Sequence, residues 1–359
     1  MATIIWLRAE SKADEARSVL TPAQCGELVK NGMEVIVENS EQRIFRGHEY
    51  AENGCFMVEA DNWRDAPADA WILGLKELPD DDSVLRHRHI YFAHAYKNQP
   101  GWEKLLGRFA EGGGQLYDLE YLLDENGRRV AAFGYWAGFV GCALAVKIWA
   151  GSRLGYEPVI TALEPYVDRT ALLEDVEVSL DRALATGNVL PSVIILGALG
   201  RVGKGASDLA DRFDLDITSW DLEETARGGP FDEILERDIF INCVLVNKKI
   251  PPFISSDGVQ HERRKLSVIG DVSCDPGPFN PIPLYNECTT FARPVQTLVN
   301  DEAPLHLCAI DHLPSLLPAE SSEDFGEQLL PHLLNVADPN DRTWSGAFKL
   351  FNEKCASLF

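Results

Sequence analysis

Two apolar segments of this chain end on side chains able to move protons. Ile72-Leu-Gly-Leu-Lys76-Glu77 sets a lysine directly after an apolar run, and His89-Ile-Tyr-Phe-Ala-His94 sets a histidine at the end of the next. A lysine at a strand mouth, partly desolvated or beside other cations, has its pKa lowered toward neutrality and can serve as a base. The alternative is a surface cation paired with Glu77. Imidazole both gives and takes protons near physiological pH, although a hydrogen-bonded structural histidine is the commoner fate of any single one. Two such groups at the ends of successive strands shift the balance toward chemistry.

Guanidinium groups suited to carboxylates recur in Arg8-Ala-Glu10, Glu15-Ala-Arg17 and Gly127-Arg128-Arg129-Val-Ala-Ala-Phe133. Arginine's planar fork binds carboxylates bidentately. Each of these arginines also has an acidic neighbour, Glu10, Glu15 or Asp124, with which it can pair internally. Further along, Gly270-Asp-Val-Ser-Cys-Asp-Pro-Gly277 and Ala309-Ile-Asp311-His312-Leu-Pro314 are strand ends with polar loops that could line a ligand pocket. Asp311 and His312 do not read as a dyad, because adjacent strand residues face opposite sides.

A third element is Val193-Ile-Ile-Leu-Gly197-Ala-Leu-Gly200-Arg201-Val-Gly203, a buried-type strand running into spaced glycines. Such glycines permit a tight turn and close approach to a pyrophosphate, which the following helix N-terminus attracts. Asp221, 21 residues after Gly200, ends a second strand where a carboxylate can accept from an adenosine ribose. The pattern is G-x-x-G-x-x-G, not strict G-x-G-x-x-G, and a glycine turn alone is weak. With the strand before it and the acid after it, it reads as a dinucleotide site, the acid favouring NAD over NADP. Arg201 either adds a cation to the phosphates or is a solvated surface arginine.

The elements must hold these residues in place. Strands are expected at 3–7, 33–38, 70–75, 89–93 and 115–117, with helices opening at Thr21-Pro22 and over 101–110. A long buried helix at 133–154 leads to a helix at 172–185, the glycine-rich unit, and strands at 239–246, 267–272 and 305–310. Closing helices follow at 324–336 and 345–356. At 359 residues the chain exceeds one ordinary core. The expectation is therefore an α/β protein of two Rossmann-like domains with parallel sheets and an active-site cleft between them. The final helices pack back on the first domain, so the expected division is 1–133 plus 323–359 for substrate and catalysis, and 134–322 for NAD.

Composition excludes several classes. The formal charge of −23 argues against nucleic acid and anionic membranes as partners. No basic-then-apolar signal segment opens the chain, and the apolar stretch 133–150 is interrupted by glycines and Lys147, so neither export nor a membrane span is expected. The 8 cysteines form no C-x-x-C pair, which points to reduced core thiols and no metal. With no peroxisomal tail, the cytoplasm is the expected compartment, and with no heptad or long apolar patch, a monomer.

Taken together, LRAE with EAR, GLKELP, FAHAYKNQPGW, LYDLEYL, GRRVAAFG, GALGRVGKGA, RGGPFDEI, IFINC, NPIPLY and IDHLPSLLP resemble the NAD-dependent, lysine-forming saccharopine dehydrogenases, within the alanine dehydrogenase and transhydrogenase-like group. The resemblance runs over nearly the whole chain. It implies reversible oxidation of saccharopine by NAD to lysine and 2-oxoglutarate. Carried over by motif, Lys76 would take the proton of the secondary amine and His94 would serve water addition and carbinolamine collapse. Arg17, Gln99, Arg129 and Phe133 would fall in the substrate site, with Ser273, Cys274 and Asp275 at its side. Gly200, Arg201, Asp221, Thr225, Leu245, Val272, Ile310, Asp311, His312 and Leu313 would line NAD, with Arg128 reaching it from the other domain. The chain departs from the pattern at Val202, where the family can carry a cysteine, so Cys243 lacks that partner; at Lys204; and in the Ser273-Cys-Asp-Pro segment. An opine- or alanine-type dehydrogenase with another amine, or a non-catalytic NAD sensor, are the competing expectations.

Overall fold

The computed structural model describes residues 2–13, 15–97, 99–260 and 264–358. The chain divides into two compact units, 1–132 with 318–359, and 133–317.

The first unit opens with β1 (Ile4–Leu7), α1 (Pro22–Lys30), β2 (Glu34–Glu38), α2 (Gly47–Glu52), β3 (Phe56–Val58), β4 (Trp71–Leu73), β5 (Arg88–Tyr91), α3 (Trp102–Gly112) and β6 (Gln115–Asp118). Its sheet runs β3-β2-β1-β4-β5-β6, every pairing parallel. The central strands β1, β2 and β4 carry apolar runs without alternation, as expected where helices cover both faces. Thr21 and Gln24 form a capping box at the start of α1, with Pro22 in its first turn, where its missing N–H costs nothing.

The second unit comprises α4 (Gly134–Arg153), α5 (Arg169–Ala185), β7 (Ser192–Leu196), α6 (Arg201–Arg212), β8 (Asp216–Trp220), the short α7 (Leu222–Thr225) and α8 (Asp232–Leu235), β9 (Ile239–Asn242), β10 (Val268–Asp271), β11 (Gln296–Val299) and β12 (Leu305–Cys308). The strand order is β11-β12-β10-β9-β7-β8. All pairings are parallel except β11 with β12, an antiparallel edge strand absent from the sequence expectation. Its polar register, Gln296-Thr297, carries no apolar run to announce it. No described helix is long and apolar enough to cross a membrane. α4 is instead the buried spine of this unit's core.

α9 (Pro318–Leu333) and α10 (Arg342–Ala356) return the chain to the first unit. Trp344 of α10 meets Trp71 at 6.0 Å between ring centroids, and Phe351 meets Phe109 at 5.8 Å. The strands at 70–75 and 239–246 expected from sequence are shorter than anticipated, ending at Leu73 and Asn242. The residues lost from each open the loops that lead to Lys76 and that hold Leu245.

Candidate functional site

Parallel pairing puts the carboxyl ends of β1, β4, β5 and β6 along one edge of the first sheet. Winding reverses between β1 and β4, the switch point at which open α/β sheets bind ligands. Arg8 and Glu10 follow β1, Lys76 follows β4, His94 follows β5, and Asp118 with Glu120 ends β6.

Lys76 is half-buried. Burial, and then the positive charge of Arg17, press its ammonium below the ordinary lysine range, against the opposing pull of Glu15. Arg17 is buried, and its Nε and Nη2 donate to Glu15 Oε1 and Oε2 at 2.8 and 2.6 Å. Burial works against the Glu15 carboxylate, but hydrogen bonds and charge from Arg17 hold it below its usual value. Of the two roles open to Arg17, the structure shows the internal pair.

His94 sits in the left-handed region at φ +52°, rare for a residue with a Cβ, and its exposed ring stacks on Phe92 at 6.4 Å. The backbone therefore turns out of the sheet at the residue expected to act on water. Asp118, fully buried, accepts the Glu120 amide at 3.0 Å. Burial raises its carboxyl pKa against the opposing amides of Glu120, Ala93 and Ala95, the last two flanking His94. Arg129 is exposed and donates to Glu120 at 2.6 Å, while Lys97 reaches the same carboxylate at 3.3 Å. Gln99 accepts the Lys97 amide at 3.1 Å and lines the same cavity as His94, Glu77 and Tyr91. Arg128 is exposed, its amide held by Asp124 at 2.8 Å. Lys76, His94, Arg17, Gln99 and Arg129 thus all lie on loops of the first unit, whereas Phe133 stands at the N-cap of α4 in the second.

In the second sheet the winding reverses between β7 and β9, and the glycine loop follows β7 there. Gly197 has φ +80°, and a Cβ on it would lie 2.9 Å from Val244. Gly200 is the N-cap of α6 with no side-chain cap, leaving the helix amides open to an anion. Arg201 is exposed at the first position of α6. Asp221 accepts the Leu199 amide at 3.0 Å and the Leu222 amide at 2.9 Å, so the acid that could meet a ribose also ties β8 to the glycine loop. Thr225 donates back to the Asp221 carbonyl at 2.7 Å. Leu199, Leu222 and Leu245 are 87%, 82% and 68% exposed, an apolar rim that a planar base would cover. This rim, the uncapped helix and the glycine turn fit a dinucleotide.

Three of the expected ligand residues are enclosed by protein. Ile310 and Leu313 are buried within the second core, and Cys274 is buried on a left-handed turn with its sulfur 2.7 Å from that of Cys288. Val272 donates its amide to Asn242 at 3.0 Å, and His312 packs on Phe291 at 4.4 Å, with Asp311 exposed between buried Ile310 and half-buried His312. Asp275 closes its own turn on the Gly277 amide at 3.0 Å. Sequence reasoning missed Asp271, which collects Asn242 at 3.0 Å, Ser273 at 2.7 Å and the Tyr285 hydroxyl at 2.7 Å beneath that loop. A polar residue ending each of two apolar strands, Asn242 and Asp271, was the available signal. Burial, and then the nearby Cys142 and Asp271, raise Cys243 well above an ordinary thiol. Among the described residues no cluster could hold a metal.

Residues 6–140 match the family model for the alanine dehydrogenase/PNT N-terminal domain. The chain is 52% identical to the saccharopine dehydrogenase [NAD(+), L-lysine-forming] of Emericella nidulans, over 99% of this chain and 98% of that one. It is 47% identical to the protein of the same name from Schizosaccharomyces pombe, over 100% of both. Among solved structures, an L-alanine dehydrogenase superposes with a TM-score of 0.67 at 15% identity, covering 99% of this chain and 100% of that chain, which shows a shared fold. On the relatives of like length, the chain belongs to the NAD-dependent, L-lysine-forming saccharopine dehydrogenases.

Proposed function

We propose that this chain catalyses the reversible oxidation of saccharopine by NAD to L-lysine and 2-oxoglutarate, the last step of lysine formation by the aminoadipate route. The observation that carries the mechanism is Lys76, a half-buried amine at the switch point whose pKa is lowered by burial and by Arg17. NAD supplies, when bound, a two-electron acceptor for the substrate's C–H bond. Gly200, Arg201, Asp221, Thr225 and Leu245 would hold it, with Val272 and the backbone of 310–313 beside it and Arg128 as a further cation.

Neutral Lys76 takes the proton of the secondary amine as the carbon is oxidised, leaving a C=N bond. His94 then takes a proton from the water that adds to that carbon. It passes that proton to the nitrogen to give the carbinolamine, then takes the hydroxyl proton and delivers it to the nitrogen as the C–N bond breaks, so that ketone and neutral amine separate. Gln99, Arg129 and Phe133, with the 273–275 loop, would bind the substrate, with Arg17 acting on it through the charge it places beside Lys76. Arg129 is exposed and can exchange Glu120 for a substrate carboxylate; Arg17 is buried and keeps Glu15. In this reading residues 1–133 with 323–359 carry substrate and catalysis, and 134–322 carry NAD. The names of the relatives do not favour an alanine- or opine-type substrate.

The test is NADH absorbance with saccharopine and NAD, with NADP and alanine as controls. NADH formed with saccharopine and NAD alone is the expected result. Tight NAD binding without turnover of either amine would sink the substrate assignment. Monomeric state and cytoplasmic location belong to the same proposal, supported by the charge of −23, which disfavours self-association; sedimentation of a dimer would correct it.

A further inference from the structure

We infer that Arg8 and Glu10 are positioning residues for Lys76, fixing the backbone amide and the backbone carbonyl of that one residue. The inference rests on the reading of Lys76 as the base.

The need for such a device follows from the register. The β1–β4 ladder ends at Leu7 with Leu73, closed by the Arg8 amide on the Leu73 carbonyl at 3.0 Å. On the other side, the pairing with β5 continues, Gly74 donating to Ile90 at 2.9 Å and Phe92 to Leu75 at 3.1 Å. The backbone groups of 75 and 76 that face away from β5 have no strand to meet. Side chains replace the strand. Glu10 Oε1 accepts the Leu75 amide at 2.7 Å and Oε2 accepts the Lys76 amide at 2.9 Å. Arg8 donates through Nη2 to the Lys76 carbonyl, and its Nη1 lies 3.3 Å from Glu10 Oε2.

Both side chains are withdrawn from water, 1% and 6% exposed, so neither is available to bind substrate. Burying a charge pair is costly unless its hydrogen bonds are made in full, and a structural turn needs no such pair. A site that must hold an amine to within a fraction of an ångström does, because a misplacement of about 1 Å can cost about 10²-fold in rate. The sequence also makes room for the clamp: a Cβ on Gly74 would stand 2.2 Å from Arg8 Nε. The pair is neutral overall, so its effect on Lys76 is geometric, unlike that of Arg17.

The test uses Glu10→Gln, which turns one acceptor into a donor facing an amide, and Gly74→Ala, which displaces the guanidinium without removing a charge. Each is compared with the parent and with Lys76→Met for kcat, NAD affinity and thermal unfolding. The expected result is a roughly 10- to 100-fold loss of kcat with NAD affinity unchanged, and no further loss when either change is added to Lys76→Met. Parental kcat in both single variants overturns the inference, as does an equal loss in the Lys76→Met background, which would mark a general structural effect. Failure of both variants to fold would reduce the clamp to a structural role and overturn it likewise. Parental turnover by Lys76→Met would instead sink the reading of Lys76 itself.

Discussion

The carboxyl edges of the two sheets are built on opposite plans. In the first unit the edge is crowded with buried ions that already satisfy one another: Arg8 with Glu10, Arg17 with Glu15, and Glu38 accepting Trp6 Nε1 at 3.0 Å and the Ala9 and Trp63 amides at 2.8 and 2.6 Å. In the second, the edge after β7 and β8 is an uncapped helix start, a glycine turn and exposed leucines, and the buried Asp271 network lies apart beneath the 273–275 loop. Groups that transfer protons need fixed positions and set pKa values, which buried charge networks supply at a cost in desolvation. A dinucleotide brings its own charge and reactive carbon, so its binder needs space and unpaired amides. The same sheet architecture thus serves one unit by filling its edge and the other by leaving it open.

If that contrast is right, substitutions on the two edges should separate turnover from cofactor affinity. The largest effect is expected from Lys76→Met, which should lower kcat by about 10²–10⁴-fold, the usual worth of a general base, while calorimetry finds parental NAD affinity. Next comes Asp221→Ala. It removes a charged acceptor worth about 1.5–3 kcal/mol, so the NAD dissociation constant should rise at least tenfold with kcat at saturating NAD little changed. A parental constant would contradict the ribose assignment.

Arg17→Gln probes the electrostatics. Arg17 lowers the Lys76 pKa and neutralises Glu15, which raises it. Removing the cation therefore moves Lys76 upward on both counts, and the acid limb of the oxidative rate should shift to higher pH. A limb shifted downward would remove Arg17 from the tuning of Lys76. The Glu15–Arg17 pair also bears on stability. A carboxylate held below its unfolded pKa stabilises the fold above that pKa and loses this contribution as pH falls through the folded value. Chemical unfolding should show the parent losing stability on acidification more steeply than Glu15→Gln. The smallest effect, a few-fold loss of NAD affinity, is expected from Leu245→Ala, an apolar surface 68% exposed.

The two edges also differed in how readily they could be read from sequence. The glycine loop and Asp221 were legible because each acts through a local property, a permissive backbone or a carboxylate closing a strand. Lys76 and His94 were legible by position, as polar ends of apolar runs. The clamp was not, since Glu10 lies 66 residues from Lys76 and only strand order brings them together. Likewise Ile310 and Leu313 matched a cofactor segment by resemblance, yet their side chains turn into the core, which spacing alone does not reveal. The edge strand β11 escaped because its burial is partial and only Leu298 and Val299 of its four residues are apolar.

The return of α9 and α10 to the first unit sets an order of events in synthesis. Phe351 belongs to the same core cluster as Ile72, Tyr91 and Phe109, so the sheet bearing Lys76 and His94 cannot complete its core until the last helix has emerged. The whole of 133–317 is translated first. At about 5–20 residues per second, the nascent catalytic sheet waits roughly ten to forty seconds with an apolar flank uncovered. The chain's final helices are thus a timing element, and a chaperone holding that flank would act on this unit and not on its partner.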